Sequence, residues 1–244
     1  MHFGYLNRNY AEQPEIPVGP NNRLEPGGPD RGQPTFFYTR TNRNLFTVIV
    51  PKRRGERKKL VWTITVNGKT QRAYGWLQPE WEIDPAGGAA TGGQTSPELA
   101  GNKAPTFTID TTSTAIAGRP LTLSAAVVDD GKPKPAAAKK PAVGQETPPG
   151  LVASNDVFTN LPQLAPRAQA PTGGVRGPFV TWMVLRGPAD ADFASRNIPV
   201  KDDKAVTTVT FNTPGDYVLL GRASDRVLFT DTLVTVTVTG DATR

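Results

Sequence analysis

The most constraining stretch of this chain begins at Thr213. There Thr213-Pro214-Gly215-Asp216 supplies turn residues, and Tyr217, Leu219, Gly221 and Ala223 then alternate with Val218, Leu220 and Arg222. Proline and glycine favour a sharp reversal, and the two-residue period that follows is that of a strand. The same period recurs in Leu121, Leu123, Ala125 and Val127, and again in Val234, Val236 and Val238, which alternate with Thr235, Thr237 and Thr239. Phe179 to Leu185 and Val206 to Phe211 complete a strand set in which Trp182 is expected in the core beside Tyr217. With 24 Gly and 24 Pro in 244 residues, many turns and long loops are expected and long helices are not.

The length suits two domains, each able to bury a core. Residues 1–35 are polar and rich in Pro, Gly and Asn, and proline removes donors and fixes φ, so they read as an extended N-terminal arm. Residues 36–84 read as a small β-sandwich or hairpin domain. Its strand signals are Phe36 to Thr39, Leu45 to Val50, Leu60 to Val66 and Thr70 to Leu77, closed by Trp81 and Ile83. Asn67-Gly68 predicts a two-residue hairpin turn that sets Val66 opposite Lys69, Ile64 opposite Gln71 and Trp62 opposite Ala73. Residues 85–104 form a Gly/Ala-rich linker. The second domain, 105–240, opens with Phe107 and Ile109 and carries an Ala/Pro/Lys-rich insertion at 131–178, far longer than an ordinary loop.

Several chemistries are excluded or disfavoured by residue type. The chain has no Cys and a single His, His2, so neither a thiolate site, a histidine metal cluster nor a Ser-His-Asp arrangement can be assembled. The glycine pairs Gly27-Gly28, Gly87-Gly88 and Gly92-Gly93 lack the Lys-Ser/Thr ending of a phosphate loop. The carboxylate pairs Asp129-Asp130, Asp190 with Asp192, and Asp202-Asp203 fall where turns are expected and match no calcium-loop spacing. The expectation is a protein without catalytic residues, cofactor or metal. No run approaches the roughly 20 apolar residues of a membrane helix. The N-terminus shows no basic start followed by an apolar run, which fits a cytoplasmic protein or a mature, trimmed chain.

Charge supplies the one hint of a partner class. Residues 1–84 carry 13 Lys+Arg against 8 Asp+Glu, and the densest run is Lys52, Arg53, Arg54, Arg57, Lys58 and Lys59 with one Glu between them. Near an anionic membrane surface each such residue contributes about 1 kcal/mol. Nucleic acid is disfavoured as a partner, because aromatic residues are not interleaved with the basic ones. The simpler reading is a solvated loop whose charge keeps an edge strand from pairing. Phe3, Tyr5 and Tyr10 are candidate anchors for the arm, since each can bury a large ring. Tyr74, Trp76 and Trp81 are the candidate platform of the alternative reading, a carbohydrate-binding surface.

From Pro105 to Gly240, without the insertion, the chain resembles polycystic-kidney-disease (PKD) and bacterial immunoglobulin-like modules. The residues that carry the likeness are GRPLTLSAAVVDDG, the Trp182 strand, PGDYVLLGRASD and the final Val/Thr strand. GYLNRNY, IPVGPNN and AYGWLQPEWEID resemble a segment of secreted bacterial proteins that carry such a module. The resemblance implies an all-β fold of two antiparallel, immunoglobulin-like β-sandwich domains in an extracytoplasmic protein. The expected function is then that of a non-catalytic structural or binding protein, an extrinsic subunit peripheral to a membrane and periplasmic or extracellular. It would brace protein subunits of a larger membrane or cell-surface assembly, of which an energy-transducing or light-harvesting complex is one concrete instance. The alternative is a secreted carbohydrate- or cell-wall-binding adhesion module.

Overall fold

Asn67 and Gly68 both adopt left-handed backbone, with φ of 49° and 73°. The two strands they join, β4 (Lys59–Val66) and β5 (Lys69–Trp76), pair with Val66 opposite Lys69, Ile64 opposite Gln71 and Trp62 opposite Ala73, as the turn type requires. The computed structural model describes residues 1–51, 59–77, 101–132 and 177–240, and within them every regular element is a strand. Trp81, Ile83, most of the linker and most of the insertion lie outside the described residues.

Residues 1–35 hold two strands rather than coil alone. β1 (His2–Asn7) pairs antiparallel with β3 (Arg40–Thr47), and β2 (Asn22–Glu25) forms the edge of a sheet ordered β2-β4-β5. Both are edge strands, the position that a proline-rich neighbourhood allows. The Phe36–Thr39 stretch, expected as a strand, is not one. Its backbone donors go to scattered acceptors: Phe36 N–H to Leu185 O, Phe37 N–H to Pro14 O, and Tyr38 N–H to the Tyr5 hydroxyl. Three consecutive buried rings, Phe36, Phe37 and Tyr38, take precedence over a ladder there.

The rest is a two-sheet sandwich built from β6 (Thr106–Asp110), β7 (Thr114–Ile116), β8 (Pro120–Val128), β9 (Phe179–Arg186), β10 (Ala191–Phe193), β11 (Asn197–Pro199), β12 (Lys204–Phe211), β13 (Gly215–Ser224) and β14 (Phe229–Thr239). One sheet runs β10-β12-β8-β6 and the other β11-β9-β13-β14-β7. All pairings are antiparallel save that of β7 with β14, so the opening segment crosses from one sheet to the other, an immunoglobulin-like arrangement. The Tyr217 hydroxyl donates to Thr213 O at 2.9 Å, the tyrosine corner of such sandwiches, and Trp182 is fully buried on the third long strand. The ring that meets Trp182 is Phe107 in the facing sheet, edge-on at 6.3 Å, whereas Tyr217 packs on Phe211. Glycine at 221 is what lets Phe107 and Trp182 approach, since a Cβ there would lie 2.9 Å and 3.0 Å from their rings.

β8 buries alternate residues, as a strand with one wet face should, but β9 is buried on both faces from Phe179 to Leu185. Val180, Trp182 and Val184 fill the sandwich. Thr181, Met183 and Leu185 point the other way, into the N-terminal region, together with Leu220 and Arg222 of β13. Burying each large apolar side chain of that second face contributes about 1.5–3 kcal/mol. The fold is thus a two-sheet sandwich with a third layer, drawn from residues 1–51 and 59–77, over the outer face of β9 and β13.

Candidate docking surface

Buried polar groups fasten the third layer. The Tyr38 hydroxyl donates to Asp190 Oδ1 at 2.6 Å and accepts from the Val184 N–H and Arg196 Nη1, both at 3.1 Å. Arg196 reaches both oxygens of Asp190 and the Ala191 carbonyl, and its guanidinium stands 4.6 Å from the Phe193 ring centroid. Burial holds the Tyr38 hydroxyl protonated well above the usual tyrosine range, so it remains a donor at every physiological pH. Arg222 pairs with both Asp231 oxygens, at 2.6 Å and 2.8 Å, and also donates to Asn44 O. At the rim Arg186 pairs with Asp30, holding that carboxyl down at about 2. These side chains, which a sequence reader would scan for catalysis, are occupied in joining one layer to the other.

A second hub sits under β4. Asn22, wholly buried, donates to Ile16 O and Pro34 O and accepts from Trp62 Nε1 at 3.0 Å. The Trp62 ring in turn packs edge-on against Phe46 and Phe3. Phe3 is therefore a core residue, 6% exposed, and is not free to anchor the arm on a partner. Tyr5 is tied inward as well, since its hydroxyl accepts the Tyr38 N–H at 2.8 Å and burial raises its pKa. Of the three arm aromatics only Tyr10 faces solvent, 62% exposed, with the Arg40 guanidinium 3.9 Å from its ring centroid.

The carboxylate pairs serve turns and ion pairs. Asp190 is held by Arg196, Asp192 accepts from Asn212, and Asp129 and Asp130 accept the N–H groups of Gly131 and Lys132. Asp202 and Asp203 occupy a left-handed turn. Among the described residues no group of three or more His, Asp or Glu side chains gathers around a point.

One group of exposed apolar and cationic residues lies elsewhere, at the β4–β5 hairpin. β4 is anchored through Leu60 and Trp62, but β5 overhangs the body, with every residue from Lys69 to Tyr74 exposed. Lys59, the last of the basic run and the one within the described residues, places its Nζ 4.2 Å from the Tyr74 ring centroid and 5.9 Å from that of Trp76. The exit of β3 lies beside the same end: Val48 N–H bonds to Met1 O, and Met1 Sδ is 3.3 Å from where a Cβ on Gly75 would sit. From there Ile49, 88% exposed, leads into the run from Lys52 to Lys58, and Leu77 follows Trp76 at 44% exposure. Lys52, Arg53, Arg54, Arg57, Lys58 and Trp81 lie outside the described residues. Sequence reasoning found Lys59, Tyr74 and Trp76. It passed over Ile49, Leu77 and Arg72, for which the available signal was an apolar residue placed directly against a basic run and an arginine in a strand with no buried face.

No protein-family model matches the chain, and no curated protein does. Among solved structures, domains 1–6 of the surface layer protein SbsC align over 76% of this chain and 17% of that one, with 8% identity and a TM-score of 0.32. The D00-D0 domain of intimin aligns over 88% of this chain and 78% of that one, with 13% identity and a TM-score of 0.30. The chain spans under a fifth of the first, and at these scores neither likeness carries an argument. The immunoglobulin-like assignment rests on the strand order and the tyrosine corner.

Proposed function

We propose that this protein is a non-catalytic structural and binding protein, an extrinsic subunit that docks on a larger membrane or cell-surface protein assembly through the end of the β4–β5 hairpin. The observation that carries the reading is the grouping at one end of Lys59, Tyr74 and Trp76, with exposed Ile49 and Leu77 flanking the basic run and the hairpin. Cations beside half-exposed aromatic and aliphatic side chains suit an anionic interface, where rings take the boundary and lysines reach the charged groups. A periplasmic or extracellular location, peripheral to the membrane, belongs to the same proposal. The carbohydrate reading is weaker on one point of geometry. A sugar platform needs a bare aromatic face, and Lys59 occupies one face of Tyr74.

The test is charge reversal. With Arg53, Arg54, Lys58 and Lys59 changed to Glu, the melting curve should be nearly unchanged, because exposed charges contribute little to folding. Cosedimentation with anionic vesicles should fall sharply, and that of the wild type should fall as salt rises, since the screening length at physiological ionic strength is about 8 Å. Equal binding of both forms at every salt concentration would refute docking through this end.

A further inference from the structure

The pairing partner of β5 among the described residues is β4 alone, on one of its two edges. In an antiparallel pair closed by a two-residue turn, the residues flanking the turn exchange hydrogen bonds and successive pairs then alternate. Val66 and Lys69 flank the turn, so Lys69, Gln71, Ala73 and Gly75 direct their N–H and C=O groups to β4. Thr70, Arg72 and Tyr74 direct theirs away. The Thr65 and Thr70 hydroxyl oxygens are 2.9 Å apart, the close side-chain approach of a pair that does not exchange hydrogen bonds. Three outward peptide units therefore line an edge whose side chains are exposed on both faces.

Charge decides what such an edge accepts. Lysine and arginine on an edge strand discourage pairing with a copy of itself, and β5 carries Lys69 and Arg72 with Lys59 opposite its far end. The same charges favour an acidic strand. Ala73 and Gly75 put little bulk on the core-facing side, where the Phe3 ring is 3.0 Å from the Cβ position of Gly75. We propose that β5 is a strand-addition site for an extended acidic segment of a partner protein, its backbone pairing with Thr70, Arg72 and Tyr74 and its carboxylates, on the face away from Gly75, meeting Arg72. Main-chain pairing then supplies affinity and the alternating side chains supply choice. The inference deepens the docking reading and rests on the hairpin being the surface that meets the partner.

The full chain is titrated with an extended peptide of alternating valine and glutamate, with an alternating valine and lysine peptide as control, while backbone amide exchange is followed. The valine-glutamate peptide should bind and slow exchange at Thr70, Arg72 and Tyr74. Arg72→Pro removes an outward N–H without breaking a bond to β4 and should weaken binding about tenfold or more. Arg72→Glu, which leaves every backbone donor in place, should weaken it comparably. No binding, binding that leaves the three amides fast, or equal binding of the lysine peptide would overturn the proposal. So would a concentration-dependent dimer abolished by Arg72→Pro, which would assign the edge to a second copy. Arg72→Pro should still cosediment with anionic vesicles. Loss of vesicle binding in the wild type, with the peptide titration as expected, defeats the surface-docking reading alone, whereas the reverse result defeats strand addition alone.

Discussion

β9 and β5 are strands of equal length, eight residues each, and they meet opposite environments. From Phe179 to Leu185 every residue of β9 is buried, whereas β5 exposes every residue from Lys69 to Tyr74. β9 lies between the facing sheet and the N-terminal layer, so both of its faces need apolar or satisfied side chains, and FVTWMVLR supplies them. Among the described residues β5 hangs from β4 with Met1 and Phe3 beneath Gly75, and KTQRAYGW supplies charge, small residues and two aromatics. The lesson is that what holds the fold together and what is proposed to bind lie in different parts of the molecule. The polar networks that look chemical serve the first, and a strand that looks unremarkable in sequence is proposed to serve the second.

The largest expected effect comes from stripping the cover from β9. A chain from Lys103 to Arg244 keeps the sandwich but uncovers Met183, Leu185 and Leu220, losing on the order of 5 kcal/mol of burial. Folding of 105–240 as a unit of its own is a proposal, and it predicts a single cooperative melt well below that of the intact chain, with increased binding of a hydrophobic dye. A broad, non-cooperative melt would sink separate folding, and an unchanged melting temperature would show that the cover stabilises nothing.

A smaller effect is expected from breaking the main tie between layers. Tyr38→Phe keeps the ring but leaves the Val184 N–H, Arg196 and Asp190 each short of one partner, at a cost of about 1–3 kcal/mol by denaturant unfolding. A loss below about 0.5 kcal/mol would mean that water replaces the hydroxyl without penalty. The same change should leave vesicle and peptide binding untouched, which separates the fastening from the docking.

The smallest effect is at the rim. Asp30 has its pKa lowered to about 2, first by the hydrogen bond from Arg186 and then by that from the Gly32 N–H. A carboxylate whose folded pKa is depressed stabilises the fold above its unfolded value of about 4 and loses that contribution as pH falls through the folded value. Asp30 is exposed over more than half its side chain, so screening keeps the contribution to about 1 kcal/mol or less. Asp30→Asn should therefore cost up to about 1 kcal/mol at neutrality, cost nothing below about pH 2, and flatten the stability profile between about pH 4 and pH 2. An unaltered acid limb would show that this ion pair is not what fastens residues 26–34 to Arg186.

Much of this was legible in the sequence. Period-two alternation located β8, β12, β13 and β14, Asn67-Gly68 fixed the hairpin register residue by residue, and Pro214-Gly215-Asp216-Tyr217 marked the corner. The short strands β7, β10 and β11, three residues each, carry too few alternations to register. Phe36 to Tyr38 misled for a different reason. Their apolar, aromatic character signals burial, but a run buried between layers satisfies its backbone by tertiary bonds that no local pattern announces. Phe3 shows the same limit, because an aromatic near a chain start reads equally as an anchor for a partner and as a plug in its own core. The tie among Tyr38, Asp190 and Arg196 spans more than 150 residues of sequence and leaves no local trace.

The claim that binding belongs to the β5 end and not to the sandwich faces can be tested by thiol labelling, because the chain has no cysteine of its own. A single cysteine is introduced at Tyr74 on the hairpin, or at Val206 on the outer face of the β10-β12-β8-β6 sheet, both exposed positions (49% and 52%). Labelling rates are measured free and bound to anionic vesicles. The account predicts that bound protein is shielded at Tyr74→Cys and labelled at the free rate at Val206→Cys. Shielding at Val206→Cys with Tyr74→Cys unchanged would contradict it and move the docking surface to the opposite side of the molecule.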